Sequence, residues 1–202
     1  MTKHRTKEER RDEILQAAAR CFAEKGYYET TMDDIVGACG LSKGTLYWHF
    51  NSKMALFRSL VDLWWGEILQ RFVDVLSEPV SVAEKFRLAL RAMDESATVN
   101  PELIRAQLEF LTMAVRDPEL LEWLRSFYDQ TVGLVEGLVR LGADSGEFRP
   151  VDDAHALAQL MVAAVDGGVI HRELLGEEAV EPFQWEALAG AFLKLLEAPG
   201  HE

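Results

Sequence analysis

Cysteine is scarce in this 202-residue chain, and basic residues are outnumbered by acidic ones. Two cysteines, Cys21 and Cys39, cannot build a disulfide framework or a four-cysteine zinc site. Both fall on apolar faces of predicted helices, so they read as reduced core residues. The longest uncharged apolar run, Ala154 to Val165, includes His155 and Gln159 and is too short to cross a bilayer. The amino end is charged and lacks the apolar stretch of a secretory signal, which gives a cytoplasmic expectation. A phosphate-cradling glycine loop, a nucleophile elbow and metal-spaced His or Cys residues are also missing. His155 and His171 are too far apart in sequence to form a recognisable ligand pair. Neither catalysis nor a metal or cofactor is expected.

The shortage of positive charge is uneven. Lys and Arg number 21 against 34 Asp and Glu, a formal net charge of −13. Residues 1–58 hold 10 basic and 8 acidic residues, whereas residues 59–202 hold 11 and 26. A slightly basic tip therefore sits on a strongly acidic body. Such a chain gains little from whole-surface attraction to nucleic acid, and any DNA binding must be local.

What is present is concentrated in residues 31–53. Thr31 stands three residues before Asp34 in a capping-box arrangement, and Met32, Ile35, Val36 and Cys39 supply an apolar helical face. Gly40 follows, where a left-handed backbone would end that helix. Ser42 can cap a second helix, Leu46 and Phe50 point inward four residues apart, and Ser52 can cap a third. This is helix-turn-helix grammar. The outward side of its second helix carries Lys43, Gly44, Thr45, Tyr47 and Trp48. Thr45 can meet a base edge or a thymine methyl, and Lys43, Tyr47, His49 and Lys53 can reach phosphates. Each residue alone suits an ordinary surface or packing role; their grouping on one helix favours DNA. Lys3, Arg5 and Lys7 form an arm, expected to be flexible to about residue 8, that can settle on the DNA backbone or minor groove.

The run from Gly44 to Phe57, Gly-Thr-Leu-Tyr-Trp-His-Phe-Asn-Ser-Lys-Met-Ala-Leu-Phe, resembles the DNA-binding core of the TetR family of bacterial transcriptional regulators. Ile14, Ala18 and Phe22, four apart and followed by Glu24-Lys25-Gly26-Tyr27, are similar to that family's first helix. The likeness spans roughly residues 10 to 60. It implies a homodimer with an amino-terminal reading head and a larger ligand-sensing body. Carried over by position, Lys43, Gly44, Thr45 and Trp48 fall on the base-reading side. Ser42, Tyr47, His49 and Lys53 fall where phosphates are touched, and Thr31 joins them as a candidate contact.

After Lys53 helix follows helix. One runs from Ser52 towards Leu76 and closes at Pro79; Ser81 to Glu84 is a capping box for the next, to about Thr98. Asn100-Pro101-Glu102 and Asp117-Pro118-Glu119 repeat one start signal, a capping residue, Pro in the first turn and an acid at the positive helix end. The helix from Pro118 is expected to reach about Leu141 and end in the turn Gly142 to Gly146. Another spans Asp152 or Asp153 to Leu175, and the last follows Pro182 and ends before Pro199. The predicted fold is all-α, with a three-helix helix-turn-helix domain over 1–52 and a helical ligand-binding and dimerisation domain over 53–202.

Two assignments in the body follow. Leu157, Met161, Val165 and Gly168 on one helix and Leu188, Phe192 and Leu195 on the other are candidate dimer contacts. The interior glycines Gly167 and Gly168 cost roughly 1 kcal/mol each relative to Ala, which a closely approaching helix can offset. The resemblance implies a four-helix bundle between twins there. Trp64, Phe86, Met93, Phe110, Met113, Trp123, Phe127 and Asp166 are candidate ligand contacts, although buried aromatics more often simply build the core. Tyr128 and Glu109 stand nearby in sequence. A largely apolar molecule, an acyl chain and a cationic drug all fit such a set. The expected function is a regulator, a repressor released from a palindromic operator by a small apolar effector. The rivals are a corepressor-dependent or activating relative of the same family, and a helical adaptor that binds only protein.

Overall fold

The structure is a computed structural model that describes residues 6–99, 101–175 and 185–197, and the side chains of 93–107 and 173 are outside that description. Asn100 and Pro182, read above as helix starts, and the Met93 side chain lie outside the described residues. Among the described residues the chain forms nine helices, α1 (Lys7–Glu29), α2 (Met32–Cys39), α3 (Lys43–His49), α4 (Lys53–Ser77), α5 (Val82–Val99), α6 (Pro101–Ala114), α7 (Pro118–Ser145), α8 (Ala154–Leu175) and α9 (Trp185–Leu196). None of the described helices is long and apolar enough to cross a membrane.

Local chemistry explains most boundaries. Thr6 and Glu9 form a reciprocal capping box that starts α1 at Lys7. α7 begins as read, with the Asp117 carboxylate accepting the Glu119 and Leu120 N–H groups and Pro118 in the first turn. It runs past Leu141 to Ser145. Gly142 is therefore a packing residue and not a turn residue: a β-carbon there would lie 2.1 Å from the Phe148 ring. The left-handed end of the helix falls instead on Gly146, at φ 78°. The Asp153 carboxylate caps α8 by accepting the Ala156 N–H at 2.9 Å.

The chain divides into two units. The first comprises Met1–Glu67 with Asn100–Thr112, and the second Ile68–Val99 with Met113–Glu202. This division falls inside α4, because that helix contributes its first half to the core of the reading head. In the first unit Phe57 of α4 packs edge-on against Phe22 of α1, at 5.2 Å between ring centroids, and lies 5.4 Å from Phe110. Ile14, Ala18, Ile35, Leu46 and Phe50 complete this core. Burial of each such large side chain contributes about 1.5–3 kcal/mol.

In the second unit Val82, Phe86 and Leu90 of α5 pack with Leu138 and Val139 of α7, Met161 and Val165 of α8, and Trp185, Phe192 and Leu196 of α9. Phe148 pairs with Glu197 in an isolated antiparallel bridge, and the Arg149 N–H donates to the Leu196 carbonyl at 2.9 Å. This packing corrects part of the dimer reading. Met161, Val165, Gly168 and Phe192 are buried within their own chain, because they face α5 and α7 or the interior of their own unit. Leu157 and Leu188 are half-buried against the same core, and Leu195 faces outward.

Candidate nucleic-acid interface

Capping fixes the geometry of the two helices that carry the site. The Thr31 hydroxyl accepts the Asp34 N–H at 3.1 Å, and the Asp34 carboxylate accepts the Thr31 N–H at 2.8 Å. Asp34 also accepts from Lys25 at 2.6 Å. These bonds, led by the one from Lys25, hold the Asp34 carboxyl well below the usual carboxylate range. Gly40 takes φ 63° and ends α2. Ser42 then starts α3, its hydroxyl oxygen accepting the Thr45 N–H at 3.1 Å and lying 2.8 Å from the Thr45 hydroxyl. Leu46 and Phe50 are buried as read, which turns the other side of α3 outward.

That side has the character of a contact surface. Lys43, Gly44, Tyr47 and Trp48 are exposed and Thr45 is half-buried. Trp48 leaves 66% of its surface open and Tyr47 43%, large values for aromatic residues on a helix this well capped. A β-carbon on Gly44 would meet only the Ser42 hydroxyl, 3.9 Å away, so no packing inside the chain requires a glycine there. Basic side chains from α1 border this surface. The Lys7 ammonium lies 4.9 Å from the Trp48 ring centre, and the Arg11 guanidinium 4.7 Å from that of Phe50. His49 packs edge-on against Trp48 at 4.7 Å, with its Nδ1 buried and without a hydrogen-bond partner. Burial, followed by the charges of Lys7, Arg11 and Arg10, pushes its pKa down.

Three expected contacts have partners inside the chain. The Lys43 ammonium is 2.7 Å from the Asp33 carboxylate, and that pairing raises its pKa. The Thr31 hydroxyl is engaged with Asp34 on both its donor and acceptor sides, and so serves the cap. Lys53 folds back under α1, donating to the carbonyls of Tyr27 at 2.6 Å and Thr30 at 2.7 Å. A longer bond reaches the Tyr28 carbonyl at 3.2 Å, and the Tyr27 ring centre is 4.4 Å away. Its three donors are thus directed at the end of α1 rather than outward. Sequence reasoning missed Asp33 and Arg11; opposite charge was the one signal for the first, and nothing in the spacing pointed to the second.

The comparisons agree with this geometry. Residues 14–60 match the family model described as bacterial regulatory proteins, tetR family, and residues 90–182 match that of the tetracyclin repressor-like C-terminal domain. An uncharacterised HTH-type transcriptional regulator of Bacillus subtilis, YfiR, is 31% identical over 93% of this chain and 92% of its own length. The chain belongs to the TetR family. It is a helix-turn-helix, DNA-binding transcriptional regulator and not an enzyme. The HTH-type transcriptional repressor BepR of Brucella suis is 28% identical over 86% of this chain and 84% of its own. The crystal structure of the regulator FadR from Bacillus subtilis, in complex with stearoyl-CoA, shares the fold. Its TM-score is 0.76 at 23% identity, covering 94% of this chain and 99% of that one.

The candidate ligand contacts are divided between the two units. Phe110 is buried in the first unit and Phe86 in the core of the second, 6.1 Å from Phe192. Trp64 lies 5.5 Å from Trp65 in the first unit. In the second unit Met113 is half-buried, Trp123 and Phe127 are 5.8 Å apart on α7, and Tyr128 follows at 6.1 Å. The Tyr128 hydroxyl is hydrogen-bonded to the Asp166 carboxyl of α8. Burial raises the pKa of both groups. A separate cleft between α4 and α5, lined by Ile68, Arg71, Phe72, Ala89 and Ala92, includes none of the eight candidates.

Proposed function

We propose that this regulator is a cytoplasmic, homodimeric repressor that leaves a palindromic operator when a small, largely apolar molecule binds its body. The observation that carries the DNA reading is the outward face of α3, with Lys43, Gly44, Thr45, Tyr47 and Trp48 held open by buried Leu46 and Phe50. In this reading Ser42, Tyr47 and His49 meet phosphates, and the dimer sets its two α3 helices about 34–36 Å apart, one turn of DNA. In this reading residues 1–52 read DNA and residues 53–202 sense and dimerise, with the first half of α4 also completing the core of the reading head.

Dimerisation is supported by an apolar stripe on α8 that nothing within the described chain covers. Ala156, Leu160 and Ala163 are exposed at helical spacing, and a β-carbon on Gly167 would meet open space. Leu160 is 58% open, and Leu195 on α9 is 50% open. The effector class is supported by the FadR likeness, whose bound molecule carries an acyl chain. Differential affinity of effector for two states of the dimer would change operator affinity by about 1–3 kcal/mol.

Selection from random duplex DNA tests the reading, run beside a Lys43→Ala, Tyr47→Ala double variant and repeated with stearoyl-CoA. A two-fold symmetric site, lost in the variant and weakened by the acyl-CoA, is the expected result. A site enriched only with the acyl-CoA would make the effector a corepressor. Absence of enrichment under both conditions would favour a protein-binding adaptor.

A further inference from the structure

Asp33 occupies a place that favours an acid, yet it is spent on a cation of the neighbouring helix. It is exposed in the first turn of α2, and its carboxylate holds the ammonium of Lys43, which is exposed in the first turn of α3. The two groups retain 69% and 59% of their surface, so solvent screens the pair and it adds little to stability. Both termini carry a positive helix-dipole end, which suits Asp33 and disfavours Lys43. A second acid of the same turn, Asp34, is already committed to Thr31 and Lys25. Asp33 thus has one described partner, and that partner is the leading cation of the reading helix.

We propose that Asp33 is a specificity-determining residue, which neutralises Lys43 until a matching DNA site supplies a better partner. The inference rests on the reading of α3 as the DNA-contacting helix. On mismatched duplex α3 sits loosely, Lys43 stays with Asp33, and the pair brings no net charge to the phosphates. Non-specific binding consists almost wholly of such charge neutralisation, so it loses one contact. On a matching site the groove fit brings a phosphate or base acceptor to the first turn of α3. The ammonium then exchanges carboxylate for DNA, and Asp33 turns to solvent. The device discriminates by withholding a charge from the wrong DNA, which is specificity through a difference of affinities. It also suits a chain of net charge −13, in which any attraction to DNA must be local.

The test measures binding of the full chain to a random-sequence duplex and to its selected site over a range of salt. The proteins are the wild type, Asp33→Asn, Asp33→Ser, Lys43→Ala and the Asp33→Asn, Lys43→Ala double variant. Either Asp33 variant should bind random duplex about fivefold more tightly, matching the upper range of an exposed pair. Its log affinity against log salt should steepen by about 0.9, one phosphate contact. The slope on the selected site should stay as in the wild type, so the ratio of specific to non-specific affinity falls. With Lys43 already replaced, the Asp33→Asn change should leave the random-duplex slope unmoved. An equal gain in both backgrounds would reduce Asp33 to a general repulsive charge and overturn the proposal. A changed base preference at one operator position would do the same, by making Asp33 a base reader. If the wild type bound neither duplex, the DNA reading itself would fail; if it bound both and the Asp33 variants matched it, this inference alone would fail.

Discussion

The carboxylate of Glu109 accepts the backbone N–H of Tyr27 at 2.5 Å, joining α6 to the kink near the end of α1. The kink is at Gly26, whose φ of 77° lies in the region that favours glycine. A β-carbon there would stand 2.5 Å from the same carboxylate. Gly26 thus supplies both the left-handed backbone and the space that Glu109 fills. Glu109→Ala should destabilise the first unit by about 1–3 kcal/mol, the cost of leaving a part-buried N–H without its acceptor. Glu109→Gln, which keeps an acceptor oxygen, should lose less. Gly26→Ala should lose at least as much as Glu109→Ala, since it combines backbone strain with a displaced carboxylate. Urea unfolding of the three variants checks the order, and a fully stable Gly26→Ala would refute the account.

Lys53 separates a structural role from a DNA contact. Its ammonium donates to the carbonyls that α1 leaves unsatisfied at its end, and burial pushes its pKa down. Lys53→Met keeps the aliphatic stem and removes the charge. Thermal unfolding should show a loss of about 1.5–3 kcal/mol, the range for hydrogen bonds from a charged donor. The salt dependence of DNA binding should be unchanged. A slope reduced by about 0.9 with unaltered stability would return Lys53 to the phosphate-contacting set.

Two groups give the reading head two successive losses of stability as pH falls. The pKa of His49 is lowered by burial and by nearby cations, so the unfolded chain binds its proton more readily than the folded one. Stability therefore falls as pH drops below the ordinary histidine value of about 6.5, until the folded pKa is passed. Asp34 acts in the acid range, because its folded pKa is lowered by Lys25 and Thr31. Its contribution is present above the ordinary aspartate value of about 3.9 and is lost as pH falls through the folded one. His49→Asn should flatten the first decline and Asp34→Asn the second, each measured by chemical unfolding across pH. Unchanged profiles in both variants would remove the assignment.

The legible parts of this molecule were those written in short-range chemistry. Thr31, Gly40 and Ser42 act within four residues of themselves, and their caps stand as read. Leu46 and Phe50 were placed inward by helical spacing alone, which left α3 its outward face. Where a residue's role depends on a distant neighbour, the pattern was ambiguous. Phe192 and Leu195 are three apart and equally apolar, yet one meets Phe86 and the other faces outward. Gly142 looked like a turn because nothing local announces Phe148. Lys53 and Lys43 both looked like phosphate ligands, since a lysine carries no mark of the carbonyls or carboxylate that will claim it.

That distinction between Phe192 and Leu195 decides how the dimer should be tested. Phe192→Arg would place a charge in the core against Phe86, so it would unfold the second unit whether or not a dimer forms. Leu160 and Leu195 are the informative positions, because both are at least half exposed and neither supports the chain's own core. Leu160→Arg combined with Leu195→Arg should leave the far-ultraviolet circular dichroism and the melting temperature of the body nearly unchanged. Sedimentation should then show a monomer, against the dimer proposed for the wild type. Because a palindrome engages two reading heads at once, affinity for the selected site should fall far more than affinity for random duplex. A doubly substituted protein that sedimented as a dimer would move the interface away from α8 and α9. One that melted early would show these leucines to be packed within the chain after all.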